Sequence, residues 1–132
     1  MLFRSREIGD RNGEATSYGN LGNVFHCLSQ YKKANEYHEK ALAIQREIKD
    51  RNGEATSYGN LGNVFRCLGK YEKANEFNKK ALALQREIGD RHGEARSYQR
   101  LGTVFGSLDE YDKAIENLEE AVAIQKIGRA HV

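Results

Sequence analysis

The chain has no proline and no tryptophan among its 132 residues, and only one methionine and two cysteines. Without proline, nothing in the sequence forces a helix to stop by ring geometry, so long helices are open to the whole chain. Two cysteines are too few for the disulfide framework of a small secreted domain. Cys27 and Cys67 are one repeat apart, and stacked repeats lie about a helix diameter, ~10 Å, from each other. That exceeds the reach of a disulfide, so both are expected to be reduced, small, part-buried side chains, in keeping with a reducing, cytoplasmic setting. No apolar run approaches the about 20 residues that span a bilayer, and no secretory leader is evident. The formal net charge of +2 is too small to point to nucleic acid or an acidic membrane surface.

What is present is a forty-residue internal repeat. Residues 11–50 and 51–90 agree at 31 of 40 positions, and an altered third copy begins at Arg91. A fixed period of this size signals a solenoid. Solenoids offer extended concave surfaces for binding and carry no built-in reactive centre. Arg6-Glu7-Ile8-Gly9-Asp10 matches the tail of such a unit, so the repeat array is read as 6–126. The ends, 2–5 and 127–132, break the repeat and resemble in-frame translations of sequencing adapters. They are read as non-native ends of a fragment, and Arg129 and His131 are given no role.

Within a unit, apolar and small residues recur at three- and four-residue spacing, the period of a helix. Ala15, Tyr18, Leu21, Gly22, Phe25 and Leu28 form one stripe, and Tyr31, Ala34, Ala41, Leu42 and Ile48 a second. The breaks fall at Ser29-Gln30, Gly69-Lys70 and Asp109-Glu110. Gly9-Asp10 and Gly89-Asp90 read as a C-terminal glycine before a capping aspartate, and Lys49-Asp50 keeps the cap without the glycine. Glu14, Glu54 and Glu94 fall where a helix dipole favours negative charge. Glu36 with Lys40, and Glu76 with Lys80, are spaced as i, i+4 pairs. The expectation is six helices in three antiparallel pairs: 11–28 with 31–48, 51–68 with 71–88, and 91–108 with 111–126. Gly22, Gly62 and Gly102 would each cost about 1 kcal/mol inside a helix, so close approach of the paired helix at Ala34, Ala74 and Ala114 is expected there.

These residues carry a family resemblance. Tyr18, Leu21-Gly22, Phe25, Tyr31, Ala34 and Ala41, with their copies at 58–81 and 98–121, resemble the tetratricopeptide repeat. The resemblance implies an all-α superhelical solenoid of three helix-turn-helix repeats. The period is 40 where that family usually has 34, and the proline after the second helix is replaced by Arg46, Arg86 and Lys126. A usual large residue late in the second helix is His38, Asn78 and then Leu118, so packing there is expected to be looser or more polar. The Asn-Leu-Gly-Asn form at 20–23 and 60–63 is similar to the repeats of Pins/LGN-type G-protein-signalling modulators and of large invertebrate many-repeat proteins.

The resemblance implies a scaffold that binds a peptide or partner protein in a groove lined by the first helix of each pair. The groove candidates are Asn20, Asn23 and His26, then Asn60, Asn63 and Arg66, then Arg96, Gln99, Arg100 and Thr103. An asparagine amide both donates and accepts, which suits holding a peptide backbone; arginine suits carboxylates, which suggests an acidic peptide. Glu54 and Glu94 could screen that charge. Gly19 and Gly59 would lower the groove wall enough to admit a bulky ligand side chain. No cofactor is implied, the four histidines have no metal-ligand spacing, and no phosphate loop or catalytic grouping is found, so a non-enzymatic chain is expected. Two alternatives stand beside the scaffold: a structural spacer or self-associating array, whose apolar end faces could stack head to tail, and the regulatory arm of a larger enzyme or signalling protein.

Overall fold

The computed structural model describes the backbone of residues 2–130 and the side chains of residues 9–128. Met1, His131 and Val132, and the side chains of residues 2–8 and 129–130, lie outside the described residues, so the reading of the two ends as non-native falls largely outside them. The elements in order are α1 (Leu2–Cys27), α2 (Tyr31–Glu47), α3 (Arg51–Cys67), α4 (Tyr71–Ile88), α5 (Arg91–Ser107) and α6 (Tyr111–Ala130). Each odd-numbered helix packs against the one that follows, and α2 and α4 also pack against the next pair. Successive first helices touch, α1 with α3 and α3 with α5, whereas the second helices do not meet among the described residues. The first helices therefore form the inner, concave wall.

The turns repeat as closely as the sequence does. A backbone N–H donates back across six residues at each one: Gln30 to Phe25, Asp50 to Gln45, Lys70 to Phe65, Asp90 to Gln85 and Glu110 to Phe105, at 2.8–2.9 Å. This pattern closes a helix through one left-handed residue. Gly69 and Gly89 occupy that position with φ of 75° and 74°, while Ser29, Lys49 and Asp109 adopt it at 60°. The expected aspartate caps form at two junctions, where Asp50 accepts from the Gly53 N–H and Asp90 from the Gly93 N–H. The junction expected at Gly9-Asp10 does not: α1 runs through it without a break. The identical segment Arg86–Arg91 breaks at Gly89 because α5 must fold back onto α4. Among the described residues nothing N-terminal to Gly9 requires α1 to do the same.

The core lies between repeats as much as within them. Leu42 of α2 meets Ala55, Tyr58 and Leu61 of α3, and Leu82 of α4 meets Ala95, Tyr98 and Leu101 of α5. Beside each apolar seam runs a polar one that sequence reading missed. The Gln45 side chain reaches Ser57 Oγ at 2.6 Å, and its amide nitrogen faces the carbonyl oxygens of Gly53 and Ala41 at 3.0 and 3.2 Å. Gln85 repeats the arrangement with Ser97, Gly93 and Ala81. Arg46 donates to the Tyr58 hydroxyl at 2.5 Å and lies 3.8 Å from Glu54; Arg86 does the same to Tyr98 and Glu94. The recurrence of Gln45 with Gln85, and of Ser57 with Ser97, was the signal available in the sequence.

The helix-interior glycines do permit close approach, but the neighbour differs from expectation. An ideal Cβ on Gly22 would fall 2.6 Å from the His38 ring, and one on Gly102 would fall 2.7 Å from Leu118. Gly62 meets Asn78 in the same way. The Ala74 and Ala114 carbonyl oxygens come second, at 3.2 Å from Gly62 and Gly102. The polar packing anticipated at this position is real: His38 is wholly buried, neither ring nitrogen is hydrogen-bonded among the described residues, and burial lowers its imidazole pKa from 6.5 to about 4, with a further push from His26. The Glu36–Lys40 and Glu76–Lys80 pairs do not form among the described residues. Lys40 instead lies over the Tyr18 and Tyr37 rings, and Lys80 over Tyr58 and Phe77; an ammonium over two aromatic faces gains attraction there while its stem covers apolar surface.

Candidate functional site

Asn20, Asn23 and His26 lie on α1, Asn60, Asn63 and Arg66 on α3, and Arg96, Gln99, Arg100 and Thr103 on α5. All three helices form the concave wall. Six of the ten residues meet around one open cavity of about 330 Å³: Asn63, Arg66, Arg96, Gln99, Arg100 and Thr103. It spans the second and third repeats. Asn20, Asn23, His26 and Asn60 do not line it.

Arg100 is the centre of this arrangement. Its guanidinium lies over Gly59, where a Cβ would collide with Nη1. Gly59 is therefore a bed for the chain's own arginine, and the expected lowering of the groove wall for a ligand side chain is overturned there. Gly19, one repeat earlier, does face open space, because the residue in register with Arg100 is Asn60, whose short side chain does not reach it. Burial disfavours the charged form of Arg100, and the positive charges of Arg96 and Arg66 add to this. Among the described residues no carboxylate lies within 4.0 Å of Arg66, Arg96 or Arg100. Glu54 and Glu94, read as possible screens, are buried at the repeat seams and engaged by Arg46, Arg51, Arg86 and Arg91. Three guanidinium groups thus converge on one cavity with no anion supplied by the described chain.

The neutral groups around them differ in availability. Thr103 donates to the carbonyl of Gln99 at 2.9 Å, a bond within its own helix. Asn63 is half-buried, and its amide makes no hydrogen bond among the described residues. Asn23 is exposed and equally unengaged. His26 is drawn elsewhere: its Nε2 is 3.6 Å from Cys67 Sγ in the next repeat, and its ring meets Tyr31 edge-on. That contact across repeats was not legible from the adjacency of His26 and Cys27. Both cysteines are free; Cys67 is half-buried, whereas Cys27 is exposed, contrary to expectation. No helix among the described residues is long and apolar enough to cross a membrane.

The family profile of the tetratricopeptide repeat matches residues 3–47, 13–87 and 53–127 in overlapping registers. The chain belongs to the tetratricopeptide repeat family. No curated protein matches the sequence significantly. Solved structures are similar in fold. The tetratricopeptide repeat domain of Arabidopsis FLU superposes with a TM-score of 0.83 at 21% identity, over 89% of this chain and 98% of that one. Aspartyl phosphate phosphatase F from Bacillus subtilis gives 0.87 at 18%, over 91% of this chain and 32% of its own. The second such domain of Spaghetti, solved with the HSP90 peptide SRMEEVD, gives 0.72 at 21%, over 89% and 98%. At these identities the likeness shows the fold. With the family established, the chain is an all-α repeat solenoid of the kind that engages proteins.

Proposed function

We propose that this chain is a protein-interaction module that receives an acidic peptide segment on its concave wall. The observation that carries the reading is the convergence of Arg66, Arg96 and Arg100 on one cavity without a carboxylate partner among the described residues. A half-buried guanidinium is desolvated at a cost, and an incoming carboxylate offsets that cost with a charge-assisted fork. Asn63, beside the arginines, offers a free amide that can both donate to and accept from a peptide backbone. Asn23 offers the same one repeat earlier, so an extended segment would be gripped at both places. The HSP90 peptide held by the Spaghetti domain carries two glutamates and an aspartate, which supports the choice of acidic partner.

A peptide array probed with the wild type, with Arg96→Ala/Arg100→Ala and with Asn23→Ala/Asn63→Ala tests it. Acidic peptides should be selected. The arginine variant should lose about 2 kcal/mol of affinity or more, the scale of removing one side of a desolvated charge pair. Binding should weaken with added salt. Selection of apolar or basic peptides, or binding indifferent to both variants while circular dichroism shows them helical, would overturn the reading.

A further inference from the structure

The first two repeats each place a lysine where the third places a glutamate. Lys40 of α2 lies 5.5 Å from the centre of the Tyr18 ring and 5.2 Å from that of Tyr37. Lys80 of α4 lies 5.7 Å from the Tyr58 ring and 5.2 Å from Phe77. Forty residues on, α6 carries Glu120 in that register. Asn117 replaces the second ring, Glu116 stands where Glu36 and Glu76 stand, and the first ring is kept as Tyr98. The chain thus twice supplies its own ammonium to this tyrosine, and at the third copy the charge at the supplying position is reversed.

The exchange leaves a pocket. Arg86 of α4, Tyr98 of α5 and Glu116, Asn117 and Glu120 of α6 line an open cavity of about 410 Å³. Neither glutamate has a cation within 4.0 Å among the described residues. The Asn117 amide nitrogen donates to the Lys113 carbonyl at 2.8 Å, which leaves Oδ1 to accept. Arg86 is engaged: it donates to the Tyr98 hydroxyl, lies over that ring and is 3.8 Å from Glu94. Its charge does not exclude a second cation, because Arg46 lies over Tyr58 in the same way while Lys80 shares that ring. Two exposed carboxylates alone would be an ordinary solvated face. What distinguishes this pair is the ring beside it, whose counterparts in both other repeats hold an ammonium.

The pocket belongs to the junction of the second and third repeats. Glu116 and Glu120 each lie two residues from Leu118, just over half a turn around α6, so they face away from the apolar side that Leu118 and Val122 present. Lys80 holds the matching place in a repeat with a neighbour on either side, and it stays exposed.

We propose that this pocket binds a lysine side chain of a partner protein. The ammonium takes the place at Tyr98 that Lys80 takes at Tyr58, where a cation is drawn to the ring face. Its three N–H donors meet Glu116, Glu120 and Asn117 Oδ1. An arginine is the poorer match, because Arg86 already supplies the guanidinium on this ring. The site shares no residue with the concave cavity, so it is independent of the acidic-peptide reading.

An NMR titration of the isotope-labelled chain with N-acetyl-lysine methylamide tests this, with sodium chloride at equal ionic strength as the reference. Saturable shifts should centre on Tyr98, Glu116, Asn117 and Glu120. Glu120→Lys installs the second repeat's residue at an exposed position; it should remain helical by circular dichroism and abolish these shifts. Glu120→Gln should weaken binding about twofold to fivefold, the contribution of one exposed ion pair. Arg100→Ala should leave the titration unchanged. Shifts produced by spermidine and not by the lysine derivative would overturn the lysine assignment in favour of a free polyamine. No saturable shifts, shifts that salt reproduces, or shifts that survive Glu120→Lys would overturn the site itself.

Discussion

Residues 11–25 and 51–65 are identical, yet the two copies live in different surroundings. Leu61 is fully buried between α2 and α4, and Leu21 is 41% exposed. Ser57 and Glu54 are buried in a polar seam with Gln45, Arg46 and Arg51, while Ser17 and Glu14 are exposed. Even the start of the helix differs: α3 begins at a capping aspartate, while α1 runs on through Gly9 and Asp10. One sequence thus serves as interior in one place and as surface in the other. The pattern of apolar residues says which side of a helix can be buried. Whether it is buried depends on what stands opposite, and in a solenoid that is only the adjacent repeat.

The comparison can be pressed hardest at the leucines. Leu61→Ala should cost about 3 kcal/mol, the transfer of a buried side chain plus the cavity left behind. Leu21→Ala should cost roughly 1–1.5 kcal/mol, since 41% of Leu21 stays in water and the space left there can fill with solvent. Urea denaturation of the two variants measures the gap, and equal losses would break the comparison. Next is the polar seam. Gln45→Ala leaves Ser57 buried without its partner and should cost about 2 kcal/mol; Gln125→Ala, on the exposed α6 face, should be close to neutral.

His38 sharpens the comparison differently, because here the two repeats differ in sequence: Asn78 stands in its place. Burial holds the His38 imidazole at about 4 in the folded protein, against 6.5 ordinarily. Its lowered pKa means that the unfolded chain takes up the proton first as pH falls. Stability should therefore drop from about pH 6.5 downward and level off below about pH 4. His38→Asn, which installs the second repeat's residue, should flatten this dependence. Thermal unfolding as a function of pH reads both, and an unchanged slope would remove His38 as the cause.

The smallest effect is at the turns. Lys49 pays for a left-handed φ of 60° that Gly89 adopts freely at 74°. Lys49→Gly should stabilise by about 0.5–1 kcal/mol, after the greater freedom of glycine in the unfolded chain is subtracted. A loss of stability on calorimetry would mean that the lysine side chain contributes more than its backbone costs.

By itself, the sequence determined the period, the three helix pairs and the turns between them, though not the break read at Gly9-Asp10, and the inner position of the first helices came from the family resemblance. Period, pairs and turns follow from interactions within a few residues of chain or from a register repeated three times. Local spacing also placed Asn63, Arg66, Arg96, Gln99, Arg100 and Thr103 on faces that meet in one cavity. Only the tertiary structure decided which members of a repeated set do the same thing. Arg100 covers Gly59 while Asn60 leaves Gly19 open. His26 turns toward Cys67 in the next repeat. Glu54 and Glu94 are held in the seams and do not screen the arginines. Lys40 and Lys80 choose aromatic rings over glutamates one turn away. Arg100 and His26 meet residues some forty positions away, Arg46 and Arg86 reach their glutamates from the preceding helix, and Lys40 and Lys80 reach Tyr18 and Tyr58 on the helix each pairs with as well as a ring on their own. The outcome depends on reach across an interhelical gap, and spacing along a single helix carries no information about that distance.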